Sequence, residues 1–182
     1  MKNKKIIVVD LEATCWKVDG DYQRKHSEII EIGICVLDTI SGEITQNEGI
    51  LVKPETSTIS PFCTELTTIT PQLVEKEGIF LAEAVEKLIK EYNSDNYPWA
   101  SYGGYDKNML KRQCKLKNID YPFGESHLNV KEEYRRASGG RKSVGMKRAL
   151  NQLKIPLDGT HHRGKDDAYN TAKILHWSLK KN

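Results

Sequence analysis

The succession of strand-like and helix-like segments constrains the fold of this chain more than any other feature. Residues 5–9 form a short β-branched run that reads as a buried strand; 29–37 and 44–52 read as two more, joined by a turn around Ser41-Gly42. Helical patterns then take over. Thr70-Pro71 looks like a cap followed by proline at the first helical position. Phe80, Leu81, Ala84, Val85, Leu88, Ile89 and Tyr92 form an apolar stripe at helical spacing. A short strand is predicted over 98–102, a turn at Gly103-Gly104, a helix starting at Asp106 and a fifth strand over 127–130. Met146, Ala149, Leu150 and Leu153 mark a helix stopped before Pro156. Ala168, Ala172, Leu175 and Leu179 mark a last one over 166–179. Three strands followed by strands alternating with helices predict an α/β fold, a mixed sheet with helices packed on it. The connection 16–25 is long and polar and is predicted to be a mobile loop.

At 182 residues, with no repeat, low-complexity tract or linker, the chain is expected to form a single domain over 1–182. No apolar run approaches the roughly 20 residues of a membrane span. The basic N-terminus Met1-Lys-Asn-Lys-Lys is followed by an apolar stretch too short for a secretory signal. The expectation is a cytoplasmic protein that does not engage membranes. Cys15, Cys35, Cys63 and Cys114 are scattered without a C-x-x-C pair, which argues against a zinc ribbon and gives no disulfide framework. Cys35, in an apolar strand, is expected in the core. A net charge of +3 points only weakly to a polyanionic partner. Its distribution says more: Arg135, Arg136, Arg141, Lys142, Lys147 and Arg148 follow one another with no acid between them. Such a run is ordinarily a solvated face, and it also suits contact with phosphates. No protein partner is legible.

Three clusters carry chemistry. In Val8-Val9-Asp10-Leu11-Glu12, strand alternation puts Asp10 and Glu12 on one face. Two neighbouring carboxylates repel, desolvation adds to the cost, and a divalent cation is the usual relief; the alternative is a strand end emerging into solvent. Asp106 stands at a helix start, where Asp ordinarily caps, but also at the C-terminal edge of a strand, where open α/β sheets gather ligands. In His161-His162-Arg163-Gly164-Lys165-Asp166-Asp167 a loop histidine and an acid one turn into a helix can share a site. A surface histidine near acids that suit a helix N-terminus is the plainer reading. His161–Asp166 and His162–Asp167 have the same spacing. At about 100° per residue, Asp166 points roughly 155° and Asp167 about 105° from the centre of the apolar stripe, so Asp167 is better placed to face Asp10. Carboxylates are hard ligands suited to Mg²⁺ or Mn²⁺, and Mg²⁺ pairs so held recur in in-line attack on phosphodiesters.

On these residues the chain resembles the DEDDh (DnaQ-like) 3′-to-5′ exonucleases: Asp10-Leu11-Glu12 looks like their first motif, Tyr105-Asp106 the second, and His162 with Asp167 the third. Within the group it is similar to the branch of histone-mRNA and small-RNA-trimming exoribonucleases and bacterial KapD-like proteins. That likeness rests on Asp10-Leu-Glu-Ala-Thr-Cys15, Glu28-Ile-Ile-Glu31, Phe62-Cys63, Leu66-Thr-Thr-Ile-Thr70, Asn129-Val130 and His162-x-Gly-x-Asp-Asp167. No N-terminal nucleic-acid-binding module is expected, since the catalytic strand begins almost at Met1.

The resemblance implies an RNase H-like fold, a five-stranded mixed sheet flanked by helices. It implies that Asp10, Glu12 and Asp167 hold one Mg²⁺, that Asp10 is shared with a second ion supported by Asp106, and that Mn²⁺ substitutes. His162 would be the general base, and nucleoside 5′-monophosphates would leave single-stranded 3′ ends. The branch points to RNA, although no short motif reports contact with the 2′-OH. Ala13, Phe62, Leu66, Thr67 and Ile69 are expected near the terminal nucleotide, the last four as a wedge; ordinary loop packing is the alternative for that segment. Arg141 and Lys142 are expected on the phosphate backbone. The rival readings are an RNase H-type endonuclease, which shares the acids but needs no loop histidine, and a non-catalytic nucleic-acid-binding relative. Trp16 stands where a polar residue is expected.

Overall fold

A computed structural model describes residues 4–18 and 20–181. β1 (Lys5–Ala13), β2 (Ile29–Asp38) and β3 (Ile44–Leu51) form an antiparallel meander. β4 (Trp99–Ser101) pairs parallel with β1, and β5 (His127–Asn129) parallel with β4, giving one mixed sheet in the order β3-β2-β1-β4-β5. The helices are α1 (Asp21–His26), α2 (Pro61–Thr67), α3 (Pro71–Glu77), α4 (Leu81–Tyr92), α5 (Tyr105–Lys117), α6 (Val130–Ala137), α7 (Met146–Leu153) and α8 (Gly164–Lys181).

Alternation along β1 sorts its side chains into two cores. Ile7, Val9 and Leu11 are buried with Leu88 of α4 and Leu110 of α5. Ile6 and Val8 are buried on the other face with Leu150 of α7 and Ala172 and Leu175 of α8. Burying each large aliphatic side chain contributes about 1.5–3 kcal/mol. A strand covered on both faces reads as an unbroken apolar run, which is why 5–9 was conspicuous in the sequence. The row that starts with Ile6 and Val8 continues as Asp10 and Glu12, so the strand carries its carboxylates onto the face that α8 covers.

Several local expectations are corrected. The segment 16–25 is not an irregular loop: α1 occupies its second half, although Asp19 lies outside the described residues, as do Met1, Lys2 and Asn3 of the basic N-terminus. α2 arises where loop packing was the alternative; Ser60 caps it by accepting from the Cys63 N–H at 3.0 Å, with Pro61 behind it. α6 was also missed. Asn129 caps it, and Glu132–Arg135 and Glu133–Arg136 pairs lie along it, so the first two members of the basic run are matched by acids just outside it. Phe80 does not belong to the α4 stripe. It is the N-cap residue and half exposed, its N–H donating to Glu83. Thr70 caps α3 as expected, and α7 stops at left-handed Lys154, short of Pro156. Cys35 is fully buried. Among the described residues no helix is long and apolar enough to cross a membrane.

Candidate active site

The site lies where the C-terminal half of β1 meets the start of α8. Asp10 and Glu12 are opposite Gly33 and Glu31 of β2. Gly33 has no side chain for a spatial reason. A Cβ there would lie 1.8 Å from the Gly164 carbonyl carbon, so only glycine lets the first residue of α8 rest on the strand beside Asp10. Glu31 completes the seat. Its buried carboxylate accepts from the Gly164 N–H at 2.7 Å and from the Arg163 guanidinium at 3.1 and 3.2 Å. Seated this way, α8 brings Asp167, 4 % exposed, to Asp10 and Glu12, with one carboxylate oxygen from each lying within 4.8 Å of the others.

Asp106 arrives from the far side of β1. It does not cap α5, whose N-cap is Gly104; instead its Oδ1 accepts from the Leu11 N–H at 3.1 Å, fastening the start of α5 to the strand between Asp10 and Glu12. Asp166 turns away and accepts from the Thr160 N–H at 2.8 Å.

The histidines divide the contacts to Asp167 unexpectedly. His161 places Nδ1 2.9 Å from Asp167 Oδ2, whereas His162 donates its backbone N–H to the same oxygen at 2.9 Å. The two rings stack with centroids 3.9 Å apart. His162 is held at φ 67°, the left-handed region that costs a non-glycine residue of order 1–3 kcal/mol.

Electrostatics expose what the cluster lacks. Burial, then the charges of Asp106, Glu12 and Asp167, push Asp10 well above the usual carboxylate range. Burial and the charges of Asp167 and Glu31 push Glu12 up to about 8. Burial lifts Asp106 to about 6 against the opposing Leu11 hydrogen bond, and raises Asp167 against its bonds to the histidines. Among the described residues no lysine or arginine pairs with Asp10, Glu12, Asp106 or Asp167; Arg163 is spent on Glu31. A converging set of buried hard oxygen donors without a counter-charge fits a divalent cation.

The sequence model of the family described as exonuclease matches residues 7–175. The chain belongs to the exonuclease family. Human 3′-5′ exoribonuclease 1 is 31% identical over 179 residues, covering 93% of this chain and 50% of that protein. The probable 3′-5′ exonuclease KapD of Bacillus subtilis (strain 168) is 28% identical over 178 residues, covering 96% of this chain and 84% of that protein. The solved nuclease domain of 3′hExo, a DEDDh family member bound to rAMP, superposes with a TM-score of 0.83 at 27% identity, covering 98% of this chain and 93% of that one. The chain spans about half the length, or less, of the mammalian relatives it matches. The RNase H-like fold of these exonucleases and their dependence on a divalent metal apply here.

The raised carboxylates carry a pH signature. An unfolded glutamate releases its proton near 4.5, whereas folded Glu12 keeps its own to about 8. Between those values the folded state binds more protons, so stability of the metal-free protein falls as pH rises across that window. Thermal melting in chelator is expected several degrees lower at about pH 8 than at about pH 5, and a divalent cation should close the gap by supplying the missing charge. A metal-free melting temperature that rises over the same window would contradict this.

The other residues expected to meet a substrate are only partly available. Phe62 and Leu66 are exposed at 38 % and 36 %, one turn apart on α2. Thr67 and Ile69 are fully buried, and the Thr67 hydroxyl donates to the Cys63 carbonyl at 2.8 Å, so of the expected wedge the surface presents Phe62 and Leu66. Ala13 is buried, its carbonyl accepting from the Cys63 thiol. Arg141 and Lys142 are exposed. The supporting roles of Glu31, Arg163 and Gly33 escaped the sequence reading. The one available signal was a charged residue and a glycine inside an otherwise apolar strand.

Proposed function

We propose that this chain is a Mg²⁺-dependent exonuclease that removes nucleotides from the 3′ ends of single-stranded nucleic acid, RNA above DNA, and releases nucleoside 5′-monophosphates. The observation that carries the reading is the convergence of Asp10, Glu12 and Asp167 from β1 and α8, with Asp106 fastened beside them and two histidines at the rim. The names of the human and bacterial relatives support it.

In this reading Asp10, Glu12 and Asp167 would hold one Mg²⁺, and Asp10 would contribute to a second supported by Asp106 directly or through water; Mn²⁺ would satisfy the same donors. Cations held there would supply positive charge that stabilises the transition state of phosphodiester hydrolysis. His162 takes the proton from the attacking water. Burial and the neighbouring His161 hold its pKa below the ordinary imidazole value, so it is neutral and able to accept at pH 7. Phe62 and Leu66 bracket the terminal base, while Arg141 and Lys142 meet the backbone.

The test is hydrolysis of end-labelled single-stranded RNA and DNA, linear and circular, in Mg²⁺. Linear strands are expected to shorten one nucleotide at a time from the 3′ end, RNA faster, while circles survive. Circles cut as readily as linear strands would replace this reading with the RNase H-type endonuclease.

A further inference from the structure

α1 is unlike the other helices: it buries none of its residues. A six-residue helix with no buried face gains little from packing, so what holds it must be specific. The Trp16 N–H donates to Gln23 Oε1 at 2.9 Å, tying α1 to the chain four residues beyond Glu12. From the other side the Arg112 guanidinium of α5 donates to the Lys25 and Ser27 carbonyls at 2.9 and 2.7 Å. α1 is therefore suspended between the two elements that carry Glu12 and Asp106.

What this arm presents is aromatic. Trp16 meets Tyr22 edge-on with ring centroids 5.1 Å apart, and Tyr22 stacks on His26 at 4.4 Å and 28°. Packing of the arm accounts for the half-buried Trp16, but not for Tyr22, which is 62 % exposed, nor for exposed His26. A cavity of about 450 Å³ opens between α1 and α5, lined by Gln23, Arg24, Asn108, Arg112 and Tyr105, the residue preceding Asp106. The cavity thus runs from the arm to the start of α5, the helix on which Asp106 stands. Lys17, Arg24 and Lys25 give the segment 16–26 three basic residues against the acids Asp19 and Asp21.

We propose that Trp16, Tyr22 and His26 form a base-stacking platform for the nucleotides that precede the scissile end. The occupant is single-stranded nucleic acid, because unpaired bases offer π-faces and exposed rings interleaved with basic side chains are the general way such strands are held. This rests on the exonuclease reading and deepens it, by assigning a second contact region to the same strand. It also gives Trp16 a role that a polar residue at that position would not fill.

The test compares wild type with the Trp16→Ala/Tyr22→Ala double variant on two substrates in Mg²⁺. One is an oligonucleotide of about eight nucleotides, within the length such platforms span. The other is the p-nitrophenyl ester of thymidine 5′-monophosphate, which has no preceding nucleotide. The ratio of kcat/KM for the oligonucleotide to that for the ester is expected to fall at least about tenfold, the equivalent of about 1.4 kcal/mol. The fall should reside in KM, and Trp16→Phe/Tyr22→Phe should restore the ratio, since phenylalanine keeps the ring face. A ratio unchanged within about twofold, or a loss equal on both substrates, overturns the platform. A wild type that shortens no strand at all overturns the exonuclease reading instead. Tyr22 is exposed and Trp16 lies outside both hydrophobic cores, so the variants are expected to melt close to wild type, and the ester rate reports any general loss of the fold.

Discussion

Asp10→Asn is expected to lower hydrolysis of single-stranded RNA by at least about a thousandfold, beyond the roughly 10–100-fold that follows loss of a residue merely supporting a metal ligand. The position matters because Asp10 faces Glu12 and Asp167 on one side and feels Asp106 on the other. Asparagine is nearly the same size, so β1 keeps its pairing and its two cores. The metal-free protein gains from the exchange, because a buried carboxylate whose charge is opposed by four others becomes a neutral amide. Melting in chelator at about pH 8 should therefore be no lower for Asp10→Asn than for wild type, whereas a divalent cation should stabilise wild type far more. Purified Asp10→Asn protein with near-normal turnover in Mg²⁺ would remove Asp10 from the site.

The second large effect is expected at His162. His162→Ala should cost about 10²–10⁴ in kcat, the usual contribution of a positioned base, with little change in divalent-cation affinity. His161→Ala should cost less than about tenfold. The geometry makes this a real contest, since it is His161 whose ring reaches Asp167. That contact uses the same oxygens a cation would claim, so it is the contact cation binding should displace; His162 meets Asp167 through its backbone and keeps both ring nitrogens for other work. The left-handed backbone at His162 supplies a control: His162→Gly removes the Cβ that makes φ 67° costly, and should fold about as well as wild type while remaining inactive. The measurement is kcat on end-labelled RNA beside a Mn²⁺ titration of each variant. If His161→Ala is the dead protein and His162→Ala the active one, the base must be reassigned to His161.

The local pattern of this chain already contained the apolar run into Asp10-Leu-Glu, the five strands, most helices and the register that sets Asp167, not Asp166, towards the sheet. These follow from periodicity, 2 along a strand and 3.6 along a helix, which a sequence states directly. α2 and α6 were lost because they are short and their evidence is a cap, not a stripe: Ser60-Pro61 and Asn129 with Glu132. α1 was lost because no residue on it is buried, so it has no stripe to read.

What only the tertiary structure decided is how pieces distant in sequence meet. Asp106 gives up the capping role natural to its position because the Leu11 N–H, 95 residues earlier, is within reach. Glu31 can be buried because Arg163 and the Gly164 N–H arrive from across the fold to compensate it. Gly33 is glycine because Gly164 must pass within van der Waals distance of the strand, and a close approach between two backbones leaves no periodic mark in either segment. Which histidine ring touches Asp167 was likewise beyond the spacing, since neighbouring histidines share a register to within one residue and only the folded loop brings the His161 ring and the His162 backbone N–H to the same oxygen. Periodicity reports which face a residue occupies; which partner it finds there depends on contacts that form only when the chain is folded.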